Sequence, residues 1–198
     1  MKLKNICCIT VLATLATTGY TNAQDLSGTY LGIDPGVSVK GTFDGNNFRF
    51  VQSGLVQFDG FEAFCIEPTQ GISIGEAVDY DVAFTYSTPE VAESISKLVG
   101  NFYSSGMTAN EAAATQWAIW EVVIDGTGGS LLTGNTKVVD SGIASLANGY
   151  LGQLPSLPTA EVQFLTNPRR QDMVTLVPEP TSVSLFALSS LLLFRRKR

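Results

Sequence analysis

Thr115-Gln116-Trp117-Ala118-Ile119-Trp120-Glu121 lies inside the run Ala109 to Ile124, which holds no proline or glycine and carries apolar residues at helical spacing. Ile119, Trp120 and Val123 fall on the same side as Gln116, so the spacing predicts a helix that turns a primary amide toward the core. A buried amide left without partners costs about 1 to 3 kcal/mol. Two accounts of Gln116 follow from its chemistry: hydrogen bonds to main chain, or a side-chain carbonyl carbon bonded to sulfur. A sulfur is available far upstream, in Phe64-Cys65-Ile66-Glu67.

The cysteine count narrows the choice. Cys7 and Cys8 fall in an apolar leader, so a mature chain keeps Cys65 alone and can make no internal disulfide. A free cysteine is commonly a small buried hydrophobe, which is the plain alternative for Cys65. There is no histidine in the 198 residues, which removes the commonest general base and the commonest transition-metal ligand together. A cysteine peptidase or transglutaminase needs such a base beside its thiol, so both are excluded, and neither a cofactor nor a metal is expected. Between Asp25 and Glu179, six basic side chains face eighteen acidic ones, a net charge of −12. A polyanion of that kind does not bind nucleic acid.

Working outward, the pattern changes period twice. From Asp25 to Tyr86 apolar and polar residues alternate, as in Val78-Asp79-Tyr80-Asp81-Val82, with turn signals at Asp34-Pro35-Gly36 and Asp44-Gly45-Asn46-Asn47. Asp44 to Asn47 lacks the acidic ligand that a calcium loop would add and reads as a turn. Three helices follow. One starts at Thr88-Pro89-Glu90 and stops before Ser105; one starts near Thr108 or Asn110, with Glu111 in its first turn, and carries Gln116; one runs from about Thr136 to Tyr150. The Gly-rich stretch Asp125 to Asn135 has no Gly-Lys-Ser/Thr ending and reads as a flexible connection, not a phosphate cradle. Ala160 to Leu165 and Gln171 to Val177, turned at Asn167-Pro168, form a closing hairpin. The class is α+β: an antiparallel β-sandwich or barrel-like sheet, with a three-helix insertion between the N-terminal strands and a C-terminal hairpin. Apolar residues at 44% and charged ones at 15% suit such a folded domain, spanning residues 24–177.

An aromatic-Cys-Ile-acid strand followed by Thr-Gln-x-Ala, in this order and spacing, resembles the thioester domains of bacterial surface adhesins. The resemblance implies that Cys65 and Gln116 condense, with loss of ammonia, into an internal thioester open to a nucleophile on a target. It also implies supporting places for Phe64 and Thr115. Such a bond must be kept from water, and Trp117 and Trp120 are large enough to cover it. The thiolate is the nucleophile, so a carboxylate such as Glu67 or Glu121 is a candidate to move its proton. Lysine amines, giving an isopeptide-like link, and sugar hydroxyls are the candidate acceptors, with extracellular polysaccharide among the targets. The competing expectation is a passive exopolysaccharide or biofilm matrix protein whose Cys65 is buried and unreactive.

Both ends have their own logic. Lys2 and Lys4, the apolar run Ile6 to Leu15 and small residues to Ala23 form a secretory signal peptide over residues 1–23. Its apolar run is short of the ~20 residues a bilayer span needs. At the other end Pro178-Glu179-Pro180, the apolar Val183 to Phe194 and the basic Arg195-Arg196-Lys197-Arg198 resemble the PEP-CTERM sorting signal of Gram-negative bacteria. That resemblance implies an exosortase as processing partner and a transmembrane helix held only transiently. The basic end stays cytoplasmic, and the product lies outside the inner membrane, at the cell surface or in the matrix.

Overall fold

A computed structural model describes residues 25–177. The signal peptide, its cut after Ala23 and the tail with Pro178, Glu179, Pro180, Arg195 and Arg196 lie outside the described residues.

The long strand β1 (Leu26–Thr42) frames the sheet. Its first four residues pair with β4 (Ala77–Ala83), Leu26 opposite Tyr80 and Thr29 opposite Ala77. From Tyr30 onward it pairs instead with β2 (Arg49–Phe58), with register shifts between Tyr30 and Gly36 where the strand changes partner. β2 continues into β3 (Glu62–Cys65), and the terminal hairpin of β6 (Val162–Thr166) and β7 (Met173–Leu176) joins β3 to β4. The circuit β1-β2-β3-β7-β6-β4-β1 is antiparallel throughout and closes on itself, so the sheet is barrel-like. The hairpin therefore enters at the middle of the sheet, between β3 and β4, and does not add to an edge.

The helices begin where their caps predict. Thr88 accepts from the Val91 amide ahead of α1 (Pro89–Phe102), and Thr108 with Glu111 makes a reciprocal capping box ahead of α2 (Ala109–Asp125). α2 is buried on every side from Ala112 to Val122. Its alanines at 112, 113, 114 and 118 let it lie between β1 and β2 on one side and α1 and α3 on another.

Two expectations are corrected. The third helix, α3 (Ser141–Gln153), starts five residues later than Thr136, because Asp140 caps it by accepting from the amides of Gly142 and Ile143. Lys137–Val138 before it form a short strand, β5, on the edge of β1 at Gly41 and Thr42. The Gly-rich stretch is not a free connection either. Leu131 in it is fully buried, its amide donates to Asn148 Oδ1 and its carbonyl accepts from Val138. The Asp125 carboxylate accepts from the amides of Asn135 and Thr136 and shuts the loop. Asp44 to Asn47 is a turn, with the Asp44 carboxylate accepting from the amides of Asn46 and Asn47 and from the Thr42 hydroxyl. Among the described residues no helix is long and apolar enough to cross a membrane.

Candidate functional site

At Cys65 strand β3 loses its neighbour on one side. Ala63 still pairs with Val56 of β2, and the amide of Ile66 donates to the Asp172 carbonyl beside β7, so the Cys65 amide and carbonyl face the side that β2 has left. Gln116 fills the vacancy. Its Oε1 accepts from the Cys65 amide at 2.9 Å and its Nε2 donates to the Cys65 carbonyl at 2.6 Å, as a strand's peptide group would. Both residues are shut off from water, Cys65 at 3% exposure and Gln116 at 1%. Thr115, also fully buried, donates its hydroxyl to the Glu111 carbonyl one turn back and so holds the helix rather than the thiol.

The sulfur sits in an apolar wall with few polar neighbours. Its S–H donates to the Glu67 carbonyl at 3.3 Å. Burial pushes the thiol up to about 12; the Trp120 indole and the Glu67 main chain pull the other way, and the charges of Glu67 and Asp172 add to the rise. The free thiol is therefore neutral at physiological pH and does not react as an ordinary surface cysteine would.

The two tryptophans divide. Trp117 points toward β1 and β2, where its Nε1 donates to Ser53 Oγ at 2.9 Å and its ring stacks on Phe43. Gly41 leaves it room, since a Cβ there would overlap the indole. Trp120, one turn beyond Gln116, is the one beside the sulfur. Phe64 is buried and meets Tyr103 of the α1 end edge-on at 6.5 Å.

The carboxylates named from sequence stand apart from the thiol's proton. Glu67 accepts from Thr69 and Gln70 in its own loop. Glu121 is fully buried at the far side of α2 against Gly129, where a Cβ would overlap its Oε1, and neither of its oxygens has a partner. Two groups that the sequence reading did not single out share the field of the thiol: Asp172, whose carboxyl is raised by burial, and Tyr80, buried with its hydroxyl unpartnered and also raised by burial. Tyr80 had a signal, because the alternation Val78-Asp79-Tyr80 turns it inward with Val78. Asp172 had none, since only the pairing of Cys65 with Met173 brings it close.

No family model matches the chain, and no curated protein matches it by sequence. Among solved structures it is similar to the thioester domain of the Staphylococcus aureus TIE protein, at 13% identity and a TM-score of 0.44, over 76% of this chain and 78% of that one.

Proposed function

We propose that this chain is an exported surface or matrix domain in which Cys65 and Gln116 condense to an internal thioester that couples covalently to a nucleophile on a target. The observation that carries the reading is the pair of hydrogen bonds that set the Gln116 amide against Cys65 inside a dry site. In forming the bond, the Cys65 sulfur adds to the Gln116 carbonyl carbon, the S–H proton passes to the departing nitrogen, and ammonia leaves. Charge builds on Oε1 when that carbon becomes tetrahedral, and the Cys65 amide already donates to Oε1. In coupling, an amine attacks the same carbon, an amide forms, the C–S bond breaks and the amine's proton ends on sulfur. A hydroxyl acceptor gives an ester by the same steps. Each molecule reacts once and needs no cofactor, so this is a covalent adhesin and not an enzyme. The signal peptide supports export, and the Pro178-Glu179-Pro180 tail supports trimming by an exosortase in a Gram-negative cell.

One observation favours the passive matrix protein: the same two hydrogen bonds satisfy the Gln116 amide without any covalent bond. Intact mass separates the readings. A mature chain one ammonia lighter than its sequence, gaining one methylamine on incubation and losing both properties in Cys65→Ala, is expected. Full mass in the purified wild type would sink the thioester. Titration of the native thiol decides nothing, because burial alone makes it inert.

A further inference from the structure

Trp120 holds a buried donor with nothing ordinary to give to. Its ring is 3% exposed and is fixed edge-on against Phe43 at 5.1 Å and against Trp117 at 5.1 Å, so it cannot swing to find water. Its Nε1 makes no full hydrogen bond to any acceptor, sulfur included. A buried N–H left that way carries a desolvation cost that a phenylalanine of similar shape would not. Trp120 stands four residues after Gln116, on the same face of α2, and Gln116 is bonded to both polar groups of the Cys65 main chain. One turn from the residue that clamps Cys65, the unpartnered indole has the Cys65 sulfur as its neighbour, near enough to favour the charged form of that sulfur without a full hydrogen bond to the neutral thiol.

We propose that the indole N–H of Trp120 is the hydrogen-bond donor to the Cys65 sulfur and stabilises the negative charge that sulfur takes up as the thioester opens. The proposal rests on the thioester reading above for its second half only. A thiol is a weak acceptor and a thiolate a strong one. The bond is therefore worth little in the resting thiol and most when the C–S bond breaks. It then lowers the barrier to attack by the target nucleophile, which leaves its proton on the same sulfur. Covering the bond is a separate service that any large ring would give. The N–H is the part that only tryptophan supplies at this position.

The two tryptophans make a direct test possible, since uniformly nitrogen-15-labelled mature protein shows two indole signals. Cys65→Ala should move the Trp120 indole signal and speed its hydrogen exchange, while the Trp117 signal, tied to Ser53, holds still. A Trp120 signal that does not respond overturns the hydrogen bond. Trp120→Phe should still mature one ammonia light, but methylamine should open it about tenfold more slowly, the lower end of a hydrogen bond to a charged group. Opening at the wild-type rate or faster overturns the role and leaves Trp120 a cover. Should the wild type carry its full mass, the thioester reading fails by itself, and the response of the indole signal to Cys65→Ala still decides whether the donor is there.

Discussion

Gln116 and Glu121 stand five residues apart on α2, both hidden from water, and they are met in opposite ways. Gln116 has each end of its amide on the Cys65 main chain, while neither oxygen of Glu121 has a partner. A buried polar group with full partners holds structure together, and one without them carries a cost that must be relieved by protonation. The same helix therefore has a side that ties the barrel shut and a side that stores a penalty against the loop at Gly129.

The sharpest way to break that contrast is to remove Gln116. Gln116→Ala and Cys65→Ala should both abolish coupling outright, but they should not melt alike. On the proposed thioester, each loses the cross-link between residues 65 and 116, which in the chain-entropy model is worth roughly 4 kcal/mol as an upper figure. Gln116→Ala also leaves the buried amide and carbonyl of Cys65 unpaired, at about 1 to 3 kcal/mol each. Its urea midpoint is expected to fall clearly below that of Cys65→Ala. Equal midpoints would show that water or β2 takes over at Cys65, and that Gln116 is no stand-in for a strand.

The opposite test is to relieve Glu121. Burial, with the charge of Asp125 adding to it, raises its carboxyl from 4.5 to about 7. The folded state thus holds this proton more tightly than the unfolded one. The stability gained is whole below pH 4.5, drains away as pH rises toward about 7, and stays lost above. A shift of that size corresponds to up to about 3 kcal/mol. Glu121→Gln keeps the shape and cannot ionise. It should therefore raise the urea midpoint at pH 8, and change it much less at pH 5. A variant whose gain is the same at both pH values would show that Glu121 finds a partner when charged.

How far the sequence reached follows the range of each interaction. The Thr108 to Glu111 capping box, the helix that carries Gln116 and the turn at Asn167 are local, and the residues within a few positions declare them. That Gln116 lies against Cys65 was legible only through the resemblance of the two motifs to thioester domains, and the structure joins them by hydrogen bonds. The closure of the barrel was not, because it needs one strand to change partners near Tyr30, and no residue pattern states which strands flank it. The proximity of Asp172 was hidden for the same reason. The start of α3 was misread because Val138 and Val139 mimic a helical period, although Asp140 marked the true cap. Leu131 sat in a Gly-rich run whose composition suggested freedom, and only its burial shows an anchor.

The smallest expected effect falls on the neighbour that looks most like Trp120. Trp117 lies three residues earlier and is fully buried, yet its N–H is satisfied by Ser53 Oγ, which in turn donates to the Val51 carbonyl. Trp117→Phe removes that bond and some contact, while the stacking on Phe43 has a ring to continue with. Ser53 keeps its bond to Val51, so no new buried donor is stranded, and the cost should be about 1 to 2 kcal/mol. Because Trp117 is directed at Gly41 and β2 and not at the sulfur, its loss should leave the rate of methylamine opening as it is. Ser53→Ala makes the complementary probe: it keeps the indole and strands its N–H, so it should cost as much stability as Trp117→Phe while removing only one oxygen. Thermal melting of the two variants, read beside methylamine opening rates, tests whether stability and reactivity sit on separate tryptophans. A Trp117→Phe protein that opens as slowly as Trp120→Phe would show that the rings act as one unit, joined through their edge-on contact, and that the division between them does not hold.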